Sequence, residues 1–274
     1  MIRRSNTLQS AKYLHKKRKK KITLTLVYFA CSIALLGIIV LVLRADFFQI
    51  SKLEVLGTAT LNAEEMAEVG LNSLSGHFFY VIPKSNILFY SSQSIRDYLL
   101  DKYKKIDTLD IRRKAFSTLG IYIMEKSATA LVCDGFHDDG EAESTCYFVD
   151  KDGYIYEKAP DFSYGVYTHY YISNNDAKNI IGTKFIDSKT FGDLQNFVKS
   201  IKDAGIPIVG LLVGEKGSYE LYLKNKDGSE AVVYFDDRTP FEKTSSNLIV
   251  FWDDKTIFDY INLRFGNNIF YVTK

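Results

Sequence analysis

Two aspartates two residues apart, Asp150 and Asp152, sit in the stretch YFVDKDGYIY (residues 147–156), followed by Gly153 and flanked by aromatics. Such a pair could open a calcium loop or form a catalytic acid pair. A calcium loop wants glycine at its sixth position and Glu at its twelfth; counted from Asp150, those places hold Ile155 and Asp161. A hairpin turn suits the residues better, because an Asp-Gly step supplies the positive φ needed between two apolar runs. The stretch therefore reads as a turn joining CYFV to YIYE.

Cys133 and Cys146 flank DGFHDDGEAEST, which adds His137 and several carboxylates. A metal site is conceivable there, although zinc thiolate sites use closer cysteine partners than these two. If Thr129–Cys133 and Cys146–Val149 pair as a hairpin, both sulfurs stand at the mouth of one loop. Outside the cytoplasm that arrangement favours a disulfide.

Enzyme signatures are missing: there is no Gly-x-Ser-x-Gly, no His-Glu-x-x-His and no phosphate-binding glycine loop. The four histidines, His15, His77, His137 and His169, are scattered. A rival reading as an anchored envelope enzyme would need a pocket converging on His169, Asp161 and Tyr167.

Positioning any of these groups falls to a chain with an uneven charge distribution. Residues 1–44 hold ten of the 35 Lys/Arg and no Asp/Glu, which leaves 25 basic against all 33 acidic residues, a net −8, over residues 45–274. That folded part repels phosphate, against a nucleic-acid partner. Ile22–Leu43 is an uncharged, proline-free run of 22 residues, about 33 Å as a helix against a bilayer core of roughly 30 Å. The run reads as an uncleaved transmembrane helix, because a signal peptide has a shorter apolar core of about 7–15 residues. Basic residues from Arg3 to Lys21 precede it, so residues 1–21 are expected to be a disordered cytoplasmic arm and 45–274 to lie outside the cell membrane. Cys31 falls mid-span as an inert small residue.

Residues 48–125 read as one unit in the order strand, helix, helix, strand, strand. FQISKLEVLG is the first strand; Thr60 or Asn62 can cap AEEMAEVGL; SSQSIRDYLLDKY places Ile95, Tyr98 and Leu99 on one helical face; IDTLDIRRKA and STLGIYIMEK follow as strands. Residues 126–274 read as mostly antiparallel β, with strands at Thr129–Cys133, Cys146–Val149, Gly153–Glu157, Tyr167–Ile172, Val209–Val213, Tyr219–Lys224, Glu230–Phe235 and, after Tyr260, Ile261 and Leu263 lead to GNN, one through Ile269, Phe270, Tyr271 and Val272. A helix over Ser188–Gly205 interrupts them, its stripe being Phe191, Leu194, Phe197, Val198 and Ile201. TPFEKTSSNLIVFWDD is either a short helix started by Pro240 or an irregular excursion. The fold class is thus α+β behind an N-terminal membrane helix.

Taken in order, the basic arm and span, FQISKLEVLGTATLNAEEM, LDIRRKAFSTLGIYIMEKSATALV, YFVDKDGYIYEKAP and the late YINLRFGNNIFY resemble the FtsQ and DivIB family of cell-division proteins over nearly the whole chain. The resemblance implies a POTRA-like domain over 48–125, a β domain over 126–274, no enzymatic activity, no cofactor and no small-molecule substrate. It implies a division-site scaffold that binds FtsB-like or DivIC-like and FtsL-like proteins, with an extended partner adding a strand to the late β segment. Carried over by position, Arg264, Phe265, Asn267 and Tyr271 would contact that partner. The chain departs from the family pattern at Ser127-Ala128, where a proline is common, and at Asn262, where an aspartate is common. POTRA-like units also serve transport and secretion systems, which is the second rival reading.

Overall fold

The computed structural model describes residues 11–78, 80–135, 145–160, 162, 165–172, 180–266 and 268–274. It has a mixed α+β fold with one long apolar N-terminal helix and a large sheet rich in antiparallel pairs. The chain divides into two compact units, Met1–Lys102 with Thr108–Ile123, and Tyr103–Asp107 with Met124–Lys274.

In the first unit, α1 (Ala11–Leu43) runs for 33 residues. It starts ahead of the apolar run, so residues 11–21 continue the helix and are not part of a disordered arm as composition suggests; residues 1–10 of that expected arm lie outside the described residues. Lys and Arg are good helix formers, and each residue added to an existing helix gains a hydrogen bond without a new nucleus. The portion His15–Leu43 is long and apolar enough to cross a membrane, and none of its apolar window is buried against protein.

Strand β1 (Lys52–Leu56) then precedes α2 (Ala63–Ser73), whose cap is Asn62: its side-chain oxygen accepts from the Glu64 and Glu65 N–H groups at 2.9 and 3.2 Å. A two-residue ladder, β2 (His77–Phe78) with β3 (Ile82–Pro83), leads to α3 (Ser92–Lys102). Strands β4 (Ile106–Ala115) and β5 (Thr118–Glu125) complete a three-stranded sheet in the order β1-β5-β4, with β1 parallel to β5. The two-residue link between β4 and β5 requires antiparallel pairing. Gly70 lets α2 approach closely, since a Cβ there would stand 2.6 Å from Leu53 Cδ1.

The second unit is a nine-stranded sheet. Its members are β6 (Ala130–Asp134), β7 (Cys146–Val149), β8 (Ile155–Lys158), β9 (His169–Ile172), β10 (Ile208–Val213), β11 (Ser218–Lys224), β12 (Glu230–Asp236), β13 (Phe258–Phe265) and β14 (Asn268–Thr273). The spatial order is β14-β13-β12-β11-β10-β9-β6-β7-β8. The pairs β6/β9, β9/β10 and β12/β13 are parallel, and the other neighbours are antiparallel. Helices α4 (Ser188–Asp203) and α5 (Phe241–Phe251) supply the crossovers for β9/β10 and β12/β13, whereas the chain between β6 and β9 passes through β7 and β8. TPFEKTSSNLIVFWDD is therefore helical, with Pro240 as the residue before its first turn.

All five apolar stripe residues of α4 are buried. They share a core with Leu211, Leu221, Val233, Phe235, Leu248 and Ile261, and each such side chain contributes roughly 1.5–3 kcal/mol. Cys133 and Cys146, opposed across β6 and β7, are joined by a disulfide with S–S 2.04 Å, and Cys133 is fully buried with Leu131, Ala159 and Tyr171. His137 and the rest of that loop, residues 136–144, lie outside the described residues.

Candidate docking edge

A sheet of nine strands ends in two edges, and the chain treats them differently. The start of β8 is met on its outer side by its own chain: Ile155 N donates to Thr183 O at 2.9 Å, and Gly182 N donates to Ile155 O at 2.8 Å. Strand β14 is bonded on one side only, and among the described residues nothing pairs with its outer side. Free edges are usually blunted by lysine, proline or an inward-pointing charge. The sequence of β14, NIFYVT, has none of these.

The edge hairpin is fixed from beneath by buried polar groups. Asn225, 4% exposed, donates from Nδ2 to the Phe258 carbonyl at 2.8 Å and accepts at Oδ1 from the Phe258 N–H at 3.2 Å, pinning the start of β13. At the far end, Asp236 accepts from Arg238 N at 3.1 Å and Nε at 2.8 Å, and the Arg238 guanidinium donates to the Arg264 carbonyl at 3.4 Å. Two register shifts interrupt the β13/β14 ladder, between Phe258 and Tyr260 and between Asn262 and Phe265. Such irregularities re-aim side chains at a sheet edge. Asn262 spans the second, its Oδ1 accepting from Arg264 N at 3.2 Å and from Arg264 Nε at 3.1 Å.

The residues expected to meet a partner divide between the two faces of this hairpin. Phe265 is 56% exposed and packs edge-on against Phe270 at 5.1 Å. Arg264 lies over the Tyr234 ring at 5.3 Å, and Tyr234 meets Tyr260 edge-on at 6.2 Å, so this face is aromatic without a helix over it. Burial, then Glu220, raises the pKa of the Tyr234 phenol, while Arg264 opposes them. Tyr271 stands on the helix face, against Phe251 at 5.1 Å and Phe258 at 6.1 Å, with half its surface open. Asn267 lies outside the described residues. Asn225 and Arg238 carried no sequence signal, because their partners are 33 and 26 residues away.

The aspartate stretch is a turn between β7 and β8, with Gly153 at φ 77°. Asp150, 4% exposed, accepts at Oδ1 from the Asp152 and Tyr154 N–H groups at 2.9 and 3.0 Å, and at Oδ2 from Lys126 Nζ at 2.6 Å. Burial alone would raise its pKa, but the Lys126 bond and the two N–H groups outweigh it and hold the carboxyl below its ordinary value. His169 is buried and stacks on Tyr171 at 6.4 Å; burial first, and Lys202 second, depress its pKa. Tyr167 packs with Phe148 and Phe162 at 5.9 and 5.1 Å, and Asp161 lies outside the described residues. No group of three or more His, Cys, Asp or Glu able to hold a metal occurs among the described residues. A groove beside α4 and α5 is lined by Lys189 and Lys199 and by Asp193, Asp203, Asp237 and Glu242, an acidic excess of two that disfavours an anionic ligand.

No protein-family model matches this chain, and no curated protein matches it either.

Proposed function

We propose that this protein is a single-span membrane scaffold that recruits an extended segment of another protein onto β14 by strand addition, within the bacterial division machinery. The observation that carries the reading is the free edge: a six-residue strand with four apolar or aromatic residues, Ile269 to Val272, and without charge or proline, with no strand paired to its outer side among the described residues. An added strand would complete the outer N–H and C=O row, and its alternating side chains would meet Phe265 and Phe270 on one face and Tyr271 on the other. Specificity would come from these aromatic anchors and from Arg264, held by Asn262.

The division assignment rests on the resemblance to FtsQ and DivIB. The order β-α-α-β-β in the first unit supports reading it as POTRA-like, with β2/β3 as a minor addition. The apolar length of α1 supports a single span with the basic flank inside and residues 45–274 outside, at the division septum. In this reading the protein performs no catalysis.

The test is calorimetry of the full chain in lipid nanodiscs against the extracytoplasmic segments of an FtsB-like or DivIC-like protein and an FtsL-like protein from the same cell. Binding that is weakened at least tenfold by Phe265→Ala and by Tyr271→Ala, with unchanged circular dichroism, supports the edge. Undiminished binding by both variants, or none by the wild type, overturns it.

A further inference from the structure

The end of α1 is not followed by a flexible linker. The Leu43 carbonyl, one of the acceptors a helix terminus leaves without an intrahelical partner, takes bonds from Asn86 Nδ2 at 2.7 Å and from Gln49 Nε2 at 3.1 Å. Asn86 is fully buried. Ile50 N donates to Ser85 O at 2.7 Å, and Ile87 N donates to Phe48 O at 2.8 Å, so the segment Arg44–Ile50 is laced to the loop Ser85–Ile87. The surface next to Leu43 is therefore held beside the helix end.

That surface is apolar and bare. Phe47, Leu88, Phe89 and Phe116 are 59, 54, 49 and 61% exposed. They form one neighbourhood: the Phe47 and Phe116 rings lie 5.0 Å apart, and Leu88 and Phe89 follow directly on Ile87. The Arg113 guanidinium sits over Phe116 at 5.9 Å and donates to the Ile87 carbonyl at 3.4 Å. Aromatic and aliphatic side chains beside a basic residue whose stem can lie along them match the headgroup zone of a bilayer, where rings seat and guanidinium groups meet phosphates.

We infer that this patch is a second membrane contact, seated in the headgroup layer of the leaflet through which α1 leaves the bilayer. The inference rests on reading α1 as a membrane span. Continuity selects lipid as the occupant: Phe47 is the fourth residue after Leu43, a reach of less than about 15 Å even when fully extended, and the polar zone of one leaflet is roughly 5–8 Å deep. The contact would hold the first unit against the membrane surface and fix its orientation there.

Site-directed spin labelling of the full chain in phosphatidylcholine/phosphatidylglycerol vesicles tests this. Native Cys31 is the free thiol within α1, since Cys133 and Cys146 are bonded. One sample carries the label at Cys31; the others carry Cys31→Ser with Leu88→Cys, Phe116→Cys or Val250→Cys, the last being an 88% exposed site on α5 in the second unit. The expected result is a Cys31 label reached by oxygen but not by a polar nickel chelate, and Leu88 and Phe116 labels several-fold less accessible to the chelate than the Val250 label. If Cys31 reads as lipid while Leu88 and Phe116 match Val250, the span stands and the second contact is overturned. A Cys31 label open to the chelate overturns the span itself and the contact with it.

Discussion

Asp150 holds two backbone N–H groups and Lys126 Nζ at once, so the carboxylate closes the β7–β8 turn and neutralises a lysine that is itself only 13% exposed. Removing Asp150 leaves Lys126 with the longer Asp107 pair at 3.6 Å and takes the acceptor from two backbone N–H groups, and Asp150→Ala is expected to cost about 3 kcal/mol by chemical denaturation. Acid should act in two stages. His169 is depressed from its ordinary 6.5, so the unfolded chain binds the proton first, and stability falls as pH drops below 6.5 and through the folded value. Asp150 is depressed from 3.8, so its contribution is complete above 3.8 and is lost below it, as pH falls through the folded value. His169→Gln should remove the first stage from a plot of thermal midpoint against pH. Asp150→Asn should shrink the second without abolishing it, because Glu54, Asp187 and Asp227 are lowered too. A wild-type profile without the first stage would contradict the His169 assignment, and a second stage left unchanged by Asp150→Asn would contradict the Asp150 one.

Among the elements, the edge hairpin owes its placement to one amide. Asn225→Ala strands the N–H and C=O of Phe258, which is 2% exposed, and unpaired buried groups cost about 1–3 kcal/mol each. The variant should therefore lose a few kcal/mol and show faster amide exchange in β13 and β14 than in β10 and β11; uniform exchange would mean that the pin is not local. The legibility of these elements follows the range of the forces that set them. The α4 stripe was readable because its five core residues recur at helical spacing, and Asp-Gly announced the β7–β8 turn. The parallel pairing of β12 with β13 was not readable, since it depends on α5 carrying the chain across, and Pro240 fits a helix start and an irregular loop equally well. The β2/β3 ladder is too short to leave an alternation. The resemblance supplies the residues proposed to meet a partner, but their division into two faces is not legible in the sequence, because it depends on the register shift between Asn262 and Phe265 and on the core contacts of Tyr271.

For the molecule as a whole, the proposed span has an orientation expected from charge. Near the two ends of the apolar run, Lys16, Lys17, Arg18, Lys19, Lys20 and Lys21 outweigh Arg44 and Lys52, and the side richer in Lys and Arg stays in the cytoplasm. Replacing those six with Gln leaves Arg3, Arg4 and Lys12 against Arg44 and Lys52, so a fraction of chains should insert inverted. The disulfide reports the outcome, because Cys133 and Cys146 can stay bonded outside the cytoplasm and are kept reduced within it. Wild-type protein, denatured without reductant and treated with a maleimide polymer, should gain one adduct, at Cys31, whereas an inverted chain should gain three. The six-Gln variant should therefore give two bands where the wild type gives one. If it gives the wild-type band alone, the basic flank does not set orientation, and the net −8 of residues 45–274 or the fold of the two units must select the side instead.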